Sequence, residues 1–77
     1  MSIYFVYREV SCSRRELIGR ANTEFQACAL ALAHSRRQSQ TFAVDACTPA
    51  TLKTRLVASF RDGATLHATN SEWKDRP

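Results

Sequence analysis

Apolar and polar residues alternate with a period of two over several short stretches of the chain, and one stretch has the period of a helix. The alternation predicts strands over residues 3–10, 41–47, 55–61 and 64–69, because successive side chains of a strand point to opposite faces. Residues 16–20 are predicted to form a further short strand that pairs back on the first. The pattern therefore predicts four or five strands and a single helix.

The helix is predicted over residues 23–38. Thr23 and Gln26 have the spacing of a capping box, in which each side chain reaches the backbone N–H of the other residue. Arg36 and Arg37 fall in the last turn, where positive charge suits the negative end of the helix dipole. The spacing i, i+3, i+4 and i+7 predicts an apolar face that comprises Phe25, Cys28, Ala29 and Leu32.

Turn residues separate these elements and complete the predicted architecture. Asp62 and Gly63 are typical of a two-residue hairpin turn, whose central positions need positive φ. A proline interrupts the pattern within residues 48–51, since proline cannot donate a hydrogen bond to a central strand. We expect one α+β domain over residues 1–77, in which an antiparallel sheet carries the helix on one face in the order β-(β)-α-β-β-β. Residues 70–77 are predicted to form a polar, flexible tail.

Strict alternation also predicts which side chains share a face of the sheet. The residues predicted to point away from the helix on the strand over residues 55–61 are Arg55, Val57, Ser59 and Arg61. Tyr4 and Arg8 on the first strand are predicted to extend this set. The face that the helix leaves uncovered is therefore predicted to be polar and basic.

The composition indicates an anionic partner and a reducing compartment. The formal net charge is +4, and nine of the eleven basic residues are arginines, whose planar guanidinium group fits carboxylates and phosphates. The three cysteines have no C-x-x-C spacing, which predicts free thiols rather than a disulfide framework. The sequence shows no signal-peptide pattern and no apolar run near the ~20 residues of a membrane span, so we expect a cytoplasmic protein without membrane contact.

No spacing in the chain predicts catalysis, a metal site or a cofactor. His34 and His67 lie beside no nucleophile in a recognisable motif, and the seven carboxylates are scattered along the chain. Cys12, Cys28 and Cys47 lack the ligand spacing of a zinc site. We therefore expect a protein that is not an enzyme.

Binding is the function that the arginines favour. Arginine and aromatic residues are enriched in protein interfaces, and they also suit contacts with phosphates and stacked bases. No helix-turn-helix, RNP or zinc-finger pattern is present, so sequence-specific DNA recognition is not indicated. The predicted partner-binding residues are Tyr4, Arg8, Arg14, Arg15, Arg20, Arg36, Arg37, Arg55 and Arg61.

The layout resembles the small phage-encoded anti-CRISPR proteins that inhibit type I Cascade surveillance complexes. The resemblance spans about residues 3–73 and rests on the opening strand that ends in Arg8-Glu9-Val10, the helix with Ala27, Ala31 and Ala33, the strands over 42–47 and 56–60, the Asp62-Gly63 turn, and Trp73. It implies an inhibitor without enzymatic activity that docks on Cas subunits, with the Cas7 backbone as one candidate, and blocks the binding of target DNA.

Three functions stay open at this stage. In the first, the arginines occupy acidic or DNA-facing surfaces of a CRISPR effector, and high salt slows association. In the second, the chain is a small nucleic-acid-binding module whose non-specific phosphate contacts weaken steeply with salt. In the third, an unpaired sheet edge joins two copies, so that the protein is a weak homodimer rather than a monomer.

Overall fold

A computed structural model of the protein describes residues 2–74. In chain order its elements are β1 (Ile3–Ser11), β2 (Arg14–Ala21), α1 (Glu24–Arg37), β3 (Phe42–Thr48), β4 (Lys53–Arg61), β5 (Ala64–Ala68) and a 3-10 helical turn (Ser71–Trp73). The predicted α+β architecture and the order of its elements are confirmed. The short second strand forms, and it is longer than predicted.

The five strands form one antiparallel sheet in the order β2-β1-β3-β4-β5, so β2 and β5 are its edges. Asp62 and Gly63 have φ angles of 53° and 77°, as the predicted hairpin turn between β4 and β5 requires. α1 connects β2 to β3 and packs across one face of the sheet, in contact with all five strands. We call this face the helix side and the opposite face the open face.

Four β-bulges interrupt the alternation within the sheet. The extra residues are Val10 in β1, Ile18 in β2, Val57 in β4 and Leu66 in β5. A bulge sets two residues of one strand against one residue of its neighbour, so the alternation of faces shifts by one residue beyond it. Ile18 and Val57 both pack against the core on the helix side. Each of these two bulges therefore adds an apolar side chain beneath α1.

Thr23 caps α1 as predicted, because its side chain accepts a hydrogen bond from the backbone N–H of Gln26 over 3.2 Å. The predicted apolar face is wrong in part. Phe25 is 61% exposed and Ala29 is also exposed. The buried helix residues are Ala27, Cys28, Ala31, Leu32 and Ser35. The face that meets the sheet is lined mainly by small side chains, which a pattern weighted towards large apolar residues does not find.

The core lies between α1 and the central strands. Phe42 and Phe60 are opposite one another in β3 and β4, and both are fully buried. Val6 and Val44 form the neighbouring buried pair between β1 and β3. Burial of such side chains is the main favourable term in folding, at roughly 25 cal/mol per Å² of apolar surface.

The end of the chain packs on this core, contrary to the predicted tail over residues 70–77. Trp73 is 3% exposed, and its ring centroid lies 6.0 Å from that of Phe60. The side chain of Asn70 donates a hydrogen bond over 3.1 Å to the carboxylate of Glu24 at the start of α1. The prediction of a tail is therefore wrong for the described residues, and the last three residues of the chain lie outside them.

Candidate binding surfaces

The predicted basic face of the sheet is wrong, and the bulge at Val57 is the reason. The register sets Arg55 opposite the core residue Ala46, so Arg55 lies on the helix side. Arg61 follows the core residue Phe60 and lies on the open face. Arg55 and Arg61 therefore do not share a face, although the alternation without a bulge predicts that they do.

Tyr4 and Arg8 also lie on the helix side and do not extend the open face. Both alternate in step with Val6, which is fully buried in the core. Tyr4 packs against the same core, and Arg8 forms an ion pair with Glu16 of β2. The alternation within β1 is as predicted. The error is that the side with Tyr4 and Arg8 is predicted to point away from the helix, whereas it faces the helix.

The open face is apolar across its middle. Phe5 and Tyr7 of β1 lie on it with their ring centroids 6.4 Å apart. Leu17 is 55% exposed beside Tyr7, and Leu56 is 40% exposed two strands from Phe5. Asp45 lies between Phe5 and Leu56 in the register, and its side chain is only 13% exposed. Sequence reasoning included none of these residues in the site.

The arginines gather at one end of the molecule instead of on one face. β1, β4 and α1 end there, and β2, β3 and β5 begin there, so the segments over 12–13, 38–41 and 62–63 meet. We call this the basic end and define it by Arg8, Arg14, Arg15, Arg36, Arg37 and Arg61. The carboxylates beside them are Glu9, Glu16, Asp62 and Asp45, the last of which pairs with Arg15 from β3. Six arginines and four carboxylates leave two of the chain's four net positive charges at this end.

Contacts between α1 and the β4–β5 turn hold the basic end together. The hydroxyl of Ser35 accepts a hydrogen bond from the backbone N–H of Gly63 over 3.1 Å and donates one to the carbonyl of Leu32 over 2.7 Å. Arg36 packs over the same turn, because a Cβ at Gly63 would lie 3.0 Å from Cγ of Arg36. This close approach and the positive φ both favour glycine at the position.

Arg8, Arg15 and Arg61 form ion pairs with other described residues. The pairs are Arg8–Glu16, Arg15–Asp45 (3.1 Å), Arg15–Glu9 (3.9 Å) and Arg61–Asp62 (3.8 Å). The Arg15 guanidinium also lies 5.2 Å from the centroid of the Tyr7 ring. Arg14 and Arg37 are exposed and form no ion pair with another residue of the described range. These two side chains are therefore the ones that an external anion reaches at least cost.

A small depression of about 280 Å³ opens at the basic end, towards the open face. It is lined by Glu9, Val10, Ser11, Cys12, Thr41 and Arg61. The bulged Val10 is 41% exposed beside it. The basic end thus combines charged groups with some apolar surface.

The other three predicted site residues lie away from the basic end. Arg20 lies on the open face opposite Phe5, near the other end of β2. Tyr4 and Arg55 both lie opposite Ala46 on the helix side. The structure therefore brings six of the nine predicted residues together and separates Tyr4, Arg20 and Arg55 from them.

Within residues 2–74, no group of three His, Cys, Asp or Glu side chains is placed to hold a metal ion. Burial and the charge of Glu24 raise the pKa of Cys28 to about 12, so this thiol stays protonated at neutral pH. His34 stacks on the core residue Phe42 at 5.5 Å between ring centroids.

Comparisons of the chain with protein-family models, with characterised proteins and with solved structures found no match. The resemblance to anti-CRISPR proteins therefore stays a prediction. In the part of the chain that the structure describes, no helix has the length and apolar character needed to cross a membrane.

Proposed function

We propose that the protein is a non-catalytic binding protein whose basic end docks on an acidic surface of a partner protein. The observation that supports this most is the meeting of three connecting segments at one end, which collects six arginines from distant parts of the sequence. A cluster of positive charge speeds association with an acidic surface and orients the encounter.

The ion pairs at the basic end favour a protein partner over a nucleic acid. Arg8, Arg15 and Arg61 are already paired with carboxylates of the same chain. Binding to a phosphate backbone depends on cations that neutralise phosphates and release counterions, and carboxylates among the arginines oppose this. Protein interfaces commonly combine arginine, paired charges and apolar surface such as that of Val10.

A type I CRISPR effector is the partner class that we propose to test first, because the sequence resemblance implies it. In this proposal the basic end occupies an acidic or DNA-facing surface of the effector, and the bound protein obstructs target DNA. The resemblance supports this choice of partner, and the charge of the basic end supports the mode of docking.

The test compares charge reversal at the two ends of the molecule. Arg14→Glu with Arg37→Glu changes two exposed arginines of the basic end, and Lys53→Glu with Arg55→Glu makes the same change in charge at the other end. Binding to a purified type I effector is measured by surface plasmon resonance. We expect the first pair to weaken binding by at least about tenfold, mainly through slower association, and the control pair to change it by less than about threefold.

Two outcomes would contradict the proposal. Equal losses for both double variants would show that net charge alone drives binding, and the absence of binding by the unmodified protein would remove this partner class. A gel shift with random duplex and single-stranded DNA, and no other protein, tests the nucleic-acid alternative. Direct binding that falls steeply with salt would favour that alternative.

A further inference from the structure

The open face is an apolar surface that no element of the described chain covers. The molecule measures 34 × 27 × 16 Å, and its smallest dimension holds only one helix layer and one sheet. Phe5 and Tyr7 lie along the middle of β1 on this face, and Leu17 is 55% exposed beside them. A sheet face of this kind is commonly packed against a second layer.

Two opposite charges lie on either side of Phe5 on the open face, and their positions indicate what could pack on this face. In the register, Phe5 has Arg20 as its neighbour on β2 and Asp45 as its neighbour on β3. Arg20 is exposed and forms no ion pair with any residue in the described range. The row across three strands is thus a positive charge, an aromatic ring and a negative charge.

Asp45 lacks a partner for half of its carboxylate. Oδ2 accepts a hydrogen bond from Arg15 over 3.1 Å, whereas Oδ1 is buried and has no hydrogen-bond partner among the described residues. A buried, unsatisfied carboxylate oxygen is costly and uncommon in folded proteins. The side chain as a whole is 13% exposed, so the carboxylate still presents negative charge to the open face beside Phe5.

We infer that a second copy of the chain covers the open face, in a symmetric dimer whose two-fold axis runs parallel to β1 above Phe5 and Tyr7. Rotation about this axis exchanges the two sides of β1. Arg20 of each copy then faces Asp45 of the other, and Phe5 and Tyr7 meet their counterparts. The second copy supplies an apolar surface and, in Arg20, a positive charge that faces Asp45.

The strength of this dimer follows from the area of the overlap. Strands β2, β1 and β3 overlap in the two copies, and three strands spaced about 4.8 Å apart and some 30 Å long give a flat area of roughly 400 Å² per copy. Stable interfaces bury about 800 Å² of accessible surface per partner, so an overlap of this size fits a weak dimer that depends on concentration. The axis preserves strand direction, so both basic ends lie at the same end of the dimer.

Sedimentation equilibrium tests this dimer. From about 5 μM to 1 mM protein, we expect the mean mass to rise from one copy towards two, as a weak interface requires. Arg20→Glu sets like charges against each other at both ends of the row, and we expect it to weaken the dimer by at least about tenfold. Arg37→Glu makes the same change in charge outside the face, and we expect it to leave the dissociation constant unchanged or slightly lower.

A charge swap separates the pairing from any effect on folding. Asp45→Arg alone should also weaken the dimer, and the combination with Arg20→Glu should restore it, because each copy again presents opposite charges in the row. Circular dichroism checks that each variant is folded. In the unmodified protein, concentration-dependent NMR shifts should appear on the open side of β1, β2 and β3 and not at β5.

Several results would overturn the inference. A single-copy mass over the whole range, equal effects of Arg20→Glu and Arg37→Glu, or shifts confined to an edge strand would each do so. The dimer and the docking of the basic end are tested by separate measurements, because the two surfaces share Arg15 and Arg61 but differ in their other residues. A monomer that binds the effector would refute only the dimer, and a dimer that does not bind the effector would refute only the proposed partner.

Discussion

The two faces of the sheet are made from the same five strands, yet they differ in what covers them and in what they bury. The helix side buries aromatic and aliphatic side chains such as Phe60 and Val6 beneath small residues of α1. The open face leaves Phe5 and Tyr7 without a helix above them and holds one carboxylate, that of Asp45, within its apolar part. The helix side therefore holds the core of the monomer, and the open face is the surface on which we propose contact with a second copy.

The same substitution on the two faces should separate these roles most clearly. Phe60→Ala removes a fully buried ring from the helix side and should cost about 3–5 kcal/mol in the free energy of unfolding. Phe5→Ala removes a half-buried ring from the open face and should cost about 1–2 kcal/mol, because part of that surface is already in contact with water.

Urea denaturation at low protein concentration measures both values without a contribution from self-association. A loss for Phe5→Ala as large as that for Phe60→Ala would contradict the division between the two faces. It would mean that the open face belongs to the core of the monomer.

The helix offers a second comparison, between residues that meet the sheet and residues that do not. Ala31 is fully buried between α1 and the sheet, whereas Ala29 on the same helix is exposed. Ala31→Leu should force α1 away from the sheet and cost about 1–3 kcal/mol. Ala29→Leu should change stability by less than about 0.5 kcal/mol, since both residues favour helix and no neighbour is displaced.

Thermal denaturation of the two variants provides the measurement. Similar melting temperatures would show that the approach of α1 to the sheet does not depend on small side chains. In that case the space between α1 and the sheet at Ala31 would accommodate a larger side chain.

The elements of this fold could be predicted from local signals, but the faces could not. Thr23 and the Asp62-Gly63 pair act through hydrogen bonds and backbone angles within a few residues, and both act in the structure as predicted. The face of Arg55 depends on the register between β3 and β4, which the bulge at Val57 shifts by one residue. Alternation along a single strand contains no signal for such a shift.

The basic end lay closer to what the sequence could predict. An antiparallel sheet in the order β-β-α-β-β-β brings the ends of alternate elements together, so the predicted topology already implied that Arg14, Arg37 and Arg61 share an end. Alternation within single strands predicts a shared face for Arg8, Arg55 and Arg61 instead of a shared end. Asp45 could not be found in this way, because its burial depends on neighbours from two other strands.

Cys28 gives the last and smallest test of the difference between the two faces. It is buried on the side of α1 that packs on the core. Burial and the charge of Glu24 raise its pKa to about 12, compared with 9.0 for a thiol in water. The folded protein therefore keeps this proton at pH values where the unfolded chain releases it. The resulting stability is fully present below pH 9.0 and is lost as the pH rises towards 12.

Cys28→Ala should therefore reduce the loss of stability between about pH 8 and pH 10.5, whereas Cys12→Ala, at an exposed turn, should leave the loss unchanged. Urea denaturation at each pH gives the two slopes. A thiol reagent should also modify Cys12 in the folded protein and reach Cys28 only after unfolding, because the thiolate is the reactive form. Rapid modification of Cys28 in the folded protein would show that α1 separates readily from the sheet. The side chains beneath α1 would then be as accessible to solvent as those of the open face.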